Sequence, residues 1–515
     1  MKTRLAAKVI DLRAEGRVVI LSRKDGKKAD LKTHDRVEVG TDENASTATI
    51  YFSDELVEPG VAGVTRDLAE VLRLKDGDEI SLRLARLPGS FSYVKKKMRG
   101  ESLSKEEMKA IIGDLVSGRL GPLETLAFAM AEEYVGMSME EVQYLTESLV
   151  ETGEVLRFDS PAYDKHSIGG VPGNKVSLLI VPIVASGGLL IPKTSSRSIT
   201  SPSGTADTME VLANVEFDAS ELMEIVSRVN ASIVWGGMLN LAPGDDAIIR
   251  VEHVVGIDPE SQMMASILAK KLAAGVKYLV LDVPTGKGAK VQTLEEAGSL
   301  SRKFIELGNR LGVQIRCGIT YGEQPIGHAV GPALEAREAL RALLGKGPTS
   351  LTEKSVSLAG LLLEMGGRVA LGGGYGAAKD LLRRGKAHKK MLEIIEAQGG
   401  DPDLKPRDIP IGRYKHAIHA PANGYVTSVS NRAITAIARA AGAPEEKGAG
   451  LMIHVKRGHK VKKGQRILEI FAERSTKLQD AVRTLNKEPP IVVEGMLLKV
   501  IPEREIFTTF YPGSK

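Results

Sequence analysis

A single cysteine, Cys317, stands among 515 residues, so no intramolecular disulfide can form, and such sparse use fits a reducing compartment. Aromatic residues make up only 4% of the chain, and with abundant Ala, Leu, Glu and Lys this suits a thermophile. Neither charge sign dominates: 70 basic side chains face 65 acidic ones, a net +5 that argues against a dedicated nucleic-acid binder. No apolar run is long enough for a membrane helix, because the most apolar segment, 176–192, is interrupted by Pro182, Gly187 and Gly188. Met1 to Leu5 leads to Asp11 and Glu15 without an apolar stretch, so no signal peptide is expected and the expected location is the cytoplasm. Repeats and low-complexity tracts are also missing. What is present is an apolar fraction of 43%, enough for substantial cores, and length for about three domains at roughly 150 residues each.

Residues 1–88 read as a small β-rich domain. Val18 to Leu21, Arg36 to Val39, Ala48 to Phe52 and Glu79 to Leu84 are strand-like, with one short helix over Thr65 to Leu72. The arrangement resembles double-psi β-barrel modules. From about residue 98 the apolar period becomes helical, and Ser104-Lys-Glu-Glu107 and Ser138-Met-Glu-Glu141 are capping boxes that predict about three packed helices over 104–152. Over 160–410, β-type runs (Leu178 to Val184, Ser232 to Trp235, Tyr278 to Val283, Gln314 to Ile319) alternate with helical stretches, which predicts an α/β layer with a parallel or mixed sheet. Gly399 to Gly412, with three prolines, reads as a linker. Residues 411–515 return to short strands, with one helix over Leu478 to Leu485.

The chemistry concentrates in two loops. The first runs from Lys165-His166-Ser167-Ile168-Gly169-Gly170 to Ser177, and the second from Ser195-Ser196-Arg197-Ser198 to Thr205-Ala206-Asp207. Both combine glycines, hydroxyls and a cation, which suits a tetrahedral oxyanion: backbone N–H groups approach it, hydroxyls donate, and Lys or Arg adds charge. Such clusters are commonly plain turns, but two of them flanking an apolar segment point to Lys165, Ser167, Ser177, Ser195 and Thr205 as a phosphate site. The first loop lacks the Gly-Lys-Ser/Thr of a Walker loop, and Gly372-Gly-Gly-Tyr-Gly376 reads as a helix-ending turn rather than a dinucleotide fingerprint. A second group comprises Arg250, Asp258, and Ser266 with Lys270 one turn apart, followed by Pro284-Thr-Gly-Lys287-Gly-Ala-Lys290 after a strand, a ligand-binding position in open α/β sheets. His416-x-x-His419 has no Cys or carboxylate beside it, and no metal is expected.

Lys165-His-Ser-x-Gly-Gly170, Ser195-x-Arg197 through Gly204-Thr-x-Asp207, Ser266-Ile-Leu-Ala-Lys-Lys271 and Gly331-Pro-Ala-Leu-Glu-Ala-Arg-Glu-Ala339 resemble the thymidine/pyrimidine nucleoside phosphorylase family over about 95–490. The resemblance implies a catalytic core over 89–410. It would comprise a helical lobe (about 89–158 and 243–275) that holds the base and a large α/β lobe (about 160–240 and 277–410) that holds phosphate, with an α+β C-terminal domain from 411. It also implies a homodimer or larger homo-oligomer, no cofactor, and inorganic phosphate as co-substrate. Departures in Val171-Pro-Gly-Asn174, in Ser198-Ile-Thr-Ser201-Pro-Ser203 and in the Arg250–Asp258 spacing, together with the N-terminal domain, resemble the family's archaeal branch. That branch splits nucleoside 5′-monophosphates, AMP among them with CMP and UMP possible, into base and ribose 1,5-bisphosphate, on a route to RuBisCO.

By this resemblance Gly170, Ser196, Arg197, Ser198, Ile199, Thr200, Ser201, Thr205, Ser266 and Lys290 contact the nucleotide and Asp258 donates the proton to the leaving base, while Lys270 and Lys287 are further candidates. A nucleotide brings a second anionic group, and the added hydroxyls and lysines answer it. Asp258 serves as an acid at neutral pH only if desolvation raises its pKa. Two other readings stand beside this one: a pyrimidine nucleoside phosphorylase on unphosphorylated substrates, and a nucleotide-binding regulator without catalysis. Asp245-Asp246 would suit the metal-diphosphate site of a phosphoribosyltransferase, but the rest of that signature is missing.

Overall fold

The computed structural model describes residues 3–12, 14, 16–41, 44–198 and 201–495. The chain divides into two compact units, Met1–Val155 with Asn240–Ala273, and Leu156–Leu239 with Ala274–Lys515.

The first unit opens with a closed six-stranded barrel. Its order is Thr3–Ile10, Val61–Thr65, Val18–Leu21, Ala45–Phe52, Arg36–Gly40, Glu79–Leu84 and back to the first. Period-two patterning builds it: in Arg36–Gly40 the side chains of Val37 and Val39 are fully buried while their neighbours are not. Closure leaves no free sheet edge. The strands Thr3–Ile10 and Val61–Thr65 and the helix Arg23–Ala29 were not anticipated. That helix (RKDGKKA) has no apolar stripe. Its start is fixed instead by Ser22, whose hydroxyl accepts from the Asp25 N–H at 3.1 Å.

Helices Ser90–Met98, Lys105–Val116, Pro122–Val135 and Met139–Glu151 follow, and Pro243–Val255 and Glu260–Ala273 pack among them. Both capping boxes form: Ser104 N–H donates to Glu107 at 2.8 Å and Ser138 N–H to Glu141 at 2.9 Å, with each serine hydroxyl accepting in return. Helical structure begins at Ser90 rather than about 98, in a segment whose buried contacts are largely polar. Its Lys97 forms a buried ion pair with Glu141 at 2.8 Å. Arg36 fastens the barrel to these helices through Glu124 (3.1 Å) and the Gly118 carbonyl (2.8 Å).

The second unit is built on parallel strands. Gln314–Tyr321, Val276–Thr285 and Ala162–Ser167 form one sheet, and Ile191–Ser195 pairs with Ala231–Trp235 beside it, joined by an Ala162–Leu190 bridge. Leu178 to Val184, expected as a strand, lies instead in the helix Ser177–Ser186, buried on every face around Pro182. A short continuous apolar run fits a core helix as well as a core strand, and periodicity cannot separate them. Its helical partners include Thr349–Met365 and Lys386–Ala397.

Gly374 begins the helix Gly374–Arg383, so the glycine run opens a helix rather than ending one, with Glu364 accepting from the N–H groups of Gly372 and Gly374 at 3.0 Å each. The segment 399–412 has neither helix nor strand. The strands beyond it form a four-stranded sheet (Gly450–Ile453, Arg466–Ala472, Tyr414–His419, joined by Ala329–Val330 from before the segment) and a three-stranded sheet (Lys460–Val461, Gly424–Val429, Ile491–Glu494), with the helix Ser475–Lys487 and the unanticipated helix Asn431–Ala440, whose Ser430 cap and Ile434/Ile437/Ala438 spacing carried a readable signal.

Candidate active site

The carboxyl ends of the three parallel strands gather a buried polar cluster around Asp282. Asp282, fully buried on Val276–Thr285 and paired in register with Ser167, accepts from Ser167 Oγ at 2.6 Å and Thr320 Oγ1 at 2.6 Å. Asn174 Nδ2 reaches both Ser167 Oγ (3.2 Å) and Asp282 (3.4 Å). Lys354, on Thr349–Met365, lies 2.9 Å from Asp282 Oδ2, and Lys165 Nζ donates to Ser167 Oγ. Burial would raise the Asp282 carboxyl, but the Lys354 and Lys165 ammonium groups and the two hydroxyls outweigh it and hold it below the usual range. Burial lowers Lys354 despite its partner. The neighbouring Asp164 carboxylate is matched by Lys193 at 3.5 Å.

The first loop leaves this cluster through Gly169 (φ 96°) and Gly170 (φ 84°), left-handed conformations that favour glycine. A Cβ on Gly170 would stand 2.6 Å from the Lys290 backbone nitrogen, so the 165–177 and 284–290 segments touch at backbone level. Lys287 and Lys290 are both exposed, and Asn431 Nδ2 donates to the Gly288 carbonyl of the second segment at 3.4 Å and to the Gly322 carbonyl at 2.8 Å. The loop is shorter than the sequence suggested, because Lys165 and Ser167 belong to the strand Ala162–Ser167, and buried Ser177 opens the helix behind it. Lys175, with no exposed surface on its side chain, anchors the loop: its ammonium donates to the carbonyls of Gly173 (2.8 Å), Ile326 (3.1 Å) and Ala329 (3.0 Å) and to Glu338 (2.8 Å).

The second loop is folded on its own polar groups. Ser195 ends a strand and bonds the Val234 carbonyl at 3.1 Å. Arg197 meets Glu210 in a two-pronged pair (2.8 and 2.6 Å), Glu216 at 2.7 Å and Asp207 at 3.7 Å, over the ring of Trp235. Hydrogen bonds from Arg197 push the Glu210 carboxyl down to about 2. The structure therefore gives Arg197 three carboxylate partners. The Ser198 N–H donates to Asp207 at 2.7 Å, its hydroxyl to the Ser201 carbonyl, and Ser201 Oγ lies 3.1 Å from Ser198 Oγ. Ser196 is exposed and Thr205 starts a short helix. Ile199 and Thr200 lie outside the described residues.

In the first unit Ser266 and Lys270, one turn apart on their helix, both reach Asp245. Asp245 is fully buried and accepts from Gln262 (2.9 Å) and Ser266 (2.8 Å), with Lys270 at 2.8 Å from it and 2.9 Å from Asp246. Burial raises the Asp245 carboxyl against the pull of Lys270. The Asp245-Asp246 pair is thus engaged by a lysine rather than open for a metal-diphosphate. Arg250 is exposed on its helix, and Asp258 is exposed in the turn between the helices Pro243–Val255 and Glu260–Ala273.

Residues 91–153 match the glycosyl transferase family helical bundle domain, 159–388 the a/b domain of the same family, and 425–492 the pyrimidine nucleoside phosphorylase C-terminal domain. A protein named AMP phosphorylase from Pyrococcus furiosus is 49% identical over 96% of this chain and 98% of its own. Proteins of the same name from Thermococcus kodakarensis and Methanocaldococcus jannaschii are 50% and 48% identical over 96% of this chain, and 98% and 99% of theirs. The chain belongs to the AMP phosphorylase family. Membership agrees with the resemblance drawn from the Lys165–Gly170 and Ser266–Lys271 motifs and makes the protein a pentosyltransferase. An anthranilate phosphoribosyltransferase structure from Thermus thermophilus aligns with 60% of this chain and 99% of its own at 20% identity and a TM-score of 0.49. Among the described residues no helix is long and apolar enough to cross a membrane.

Asp282, Thr320, Asn174 and Lys354 join the candidate site although the sequence alone does not single them out. Asp282 carried a signal, a lone carboxylate inside the apolar run Tyr278-Leu-Val-Leu-Asp-Val283. Lys354 carried none, since only the fold brings its helix to the sheet.

Proposed function

We propose that the protein cleaves AMP with inorganic phosphate to adenine and ribose 1,5-bisphosphate. In the same proposal it accepts CMP and UMP, acts in the cytoplasm on a route toward RuBisCO, and works as a homodimer or larger homo-oligomer without a cofactor. The observation that carries this reading is kinship to proteins named AMP phosphorylase over 96% of the chain, N-terminal barrel included. The Lys165–Ser167–Asp282 cluster at the carboxyl end of a parallel sheet supports it, because ligands of open α/β sheets bind there.

In this reading a phosphate oxygen forms a bond to C1′ as the C1′–N bond breaks through an oxocarbenium-like state, and the bonding pair leaves with the base. Lys165 and Ser167 hold the phosphate, the left-handed Gly169-Gly170 turn lets backbone approach it, and the exposed Lys287 and Lys290 serve the 5′-phosphate. Asp258 protonates the leaving base.

Phosphate-dependent base release from AMP and from thymidine, with ³¹P detection of ribose 1,5-bisphosphate, tests the reading. AMP is expected to be the better substrate, and preference for thymidine would overturn it. Asp258→Asn is expected to lower turnover by roughly 10²–10⁴-fold while sparing nucleotide binding. Unchanged turnover would remove Asp258 from the acid role.

A further inference from the structure

Lys354 is the one group of the Asp282 cluster, apart from the hydroxyl and amide props, that the reaction scheme above does not use, and it is an unusual lysine. Its side chain is 7% exposed and its ammonium lies 2.9 Å from Asp282 Oδ2, while among the described residues no other group bonds the nitrogen. Asp282 Oδ2 is the same oxygen that accepts from Ser167 Oγ, which in turn accepts from Lys165. One buried oxygen therefore links Lys354 to both residues that face the phosphate in the proposed scheme.

The charges explain why a lysine belongs there. Asp282 orients the Ser167 hydroxyl and, with Thr320 and Asn174, fixes the end of the sheet. A buried carboxylate this close to the seat of an incoming phosphate would repel it strongly, because little water screens the pair. Lys354 cancels that charge. Asp164 with Lys193 and Asp282 with Lys354 then sum to zero, and Lys165 gives the cluster a net positive charge.

We propose that Lys354 is a positioning residue for the phosphate co-substrate: its ammonium neutralises Asp282, so that the carboxylate can hold Ser167 in place without expelling phosphate. The inference rests on the phosphorolysis reading for its consequence in turnover, but the binding step can be read separately.

The test is inorganic phosphate binding to the full chain by calorimetry, beside steady-state KM values for phosphate and AMP, for wild type, Lys354→Met, Asp282→Asn and the double variant. Lys354→Met is expected to weaken phosphate binding by roughly 10–100-fold, the effect of one unbalanced charge a few ångströms away, with the KM for AMP within about twofold. Asp282→Asn added to Lys354→Met is expected to restore phosphate affinity to within about fivefold of wild type, since the pair then contributes no net charge, as in the native protein. A double variant as weak as Lys354→Met or weaker would overturn the inference and make the lysine a direct ligand or a purely structural group. If Lys354→Met does not fold, the double variant alone decides: phosphate affinity within about fivefold of wild type supports the inference, and a weaker one overturns it. Wild type that binds no phosphate would instead overturn the phosphorolysis reading, and a distinct outcome, phosphate bound equally by wild type and Lys354→Met, overturns only the role of Lys354.

Discussion

Each unit of the molecule holds a fully buried aspartate that anchors a polar cluster, and the two are supported differently. Asp282, on a strand, faces two lysine ammonium groups and two hydroxyls, and its carboxyl is held low. Asp245, on a helix, faces one lysine that it shares with Asp246, and its carboxyl is pushed up. Burial raises both carboxyls; two ammonium groups and two hydroxyls outweigh it at Asp282, whereas Lys270 and Ser266 do not at Asp245, where the Asp246 charge adds to it. The sheet-end cluster keeps positive charge in reserve and suits an anion. The helical cluster sets two carboxylates against one lysine, has no positive charge to spare and does not suit an anion.

Breaking the first cluster should give the largest effect. Lys165→Met is expected to lower kcat/KM for phosphate by roughly 10²–10³-fold, as for loss of one preorganised donor, in a phosphate titration at saturating AMP. Breaking the second should appear in folding. Lys270→Met strands Asp245 without its cation and is expected to destabilise the protein by about 3 kcal/mol, the low end for a buried pair because Lys270 is 29% exposed, measured by denaturant unfolding.

Glu335 sharpens the contrast from a third place, since its carboxyl is buried without a lysine in ion-pair contact among the described residues, and burial raises it to about 7. Unfolding frees it to ionise near its ordinary value, so between that value and about 7 the unfolded chain loses its proton first and stability falls as pH rises. From pH 5 to 7 the loss should be about 2 kcal/mol, and Glu335→Gln, which keeps an acceptor for the Gly331 N–H, should flatten that part of the curve. Finally, Thr320→Val and Ser266→Ala each remove one hydroxyl from one aspartate. Each should cost about 1 kcal/mol in thermal unfolding, with only the former raising the KM for phosphate.

Local signals were the ones the sequence expressed clearly. The Ser104 and Ser138 capping boxes, the period-two barrel strands and the apolar strand before Asp282 each depend on neighbours a few residues away, and each formed. The strand Ala162–Ser167 reads as loop in the sequence because Asp164, Lys165 and Ser167, groups of the candidate site, replace the apolar residues a buried strand would show. The helix Ser177–Ser186 was misread because its environment is apolar on all sides, so no stripe betrays its period. Of the site itself, Lys165 and Ser167 were legible from one loop, and Ser266 with Lys270 from one helical turn. The link from Ser167 to Asp282 and on to Lys354 joins positions far apart in the chain, and only the tertiary fold supplies it.

The Lys175 anchorage bears on how rigid the first loop is before any ligand arrives. Its four oxygen partners tie the turn after Gly170 to the 326–329 segment and to the helix Pro332–Leu343, so that turn cannot breathe without stripping a desolvated ammonium of all these ligands at once. The disorder that a substrate would otherwise have to remove has already been removed during folding. On heating, this turn should keep its form until the whole unit melts.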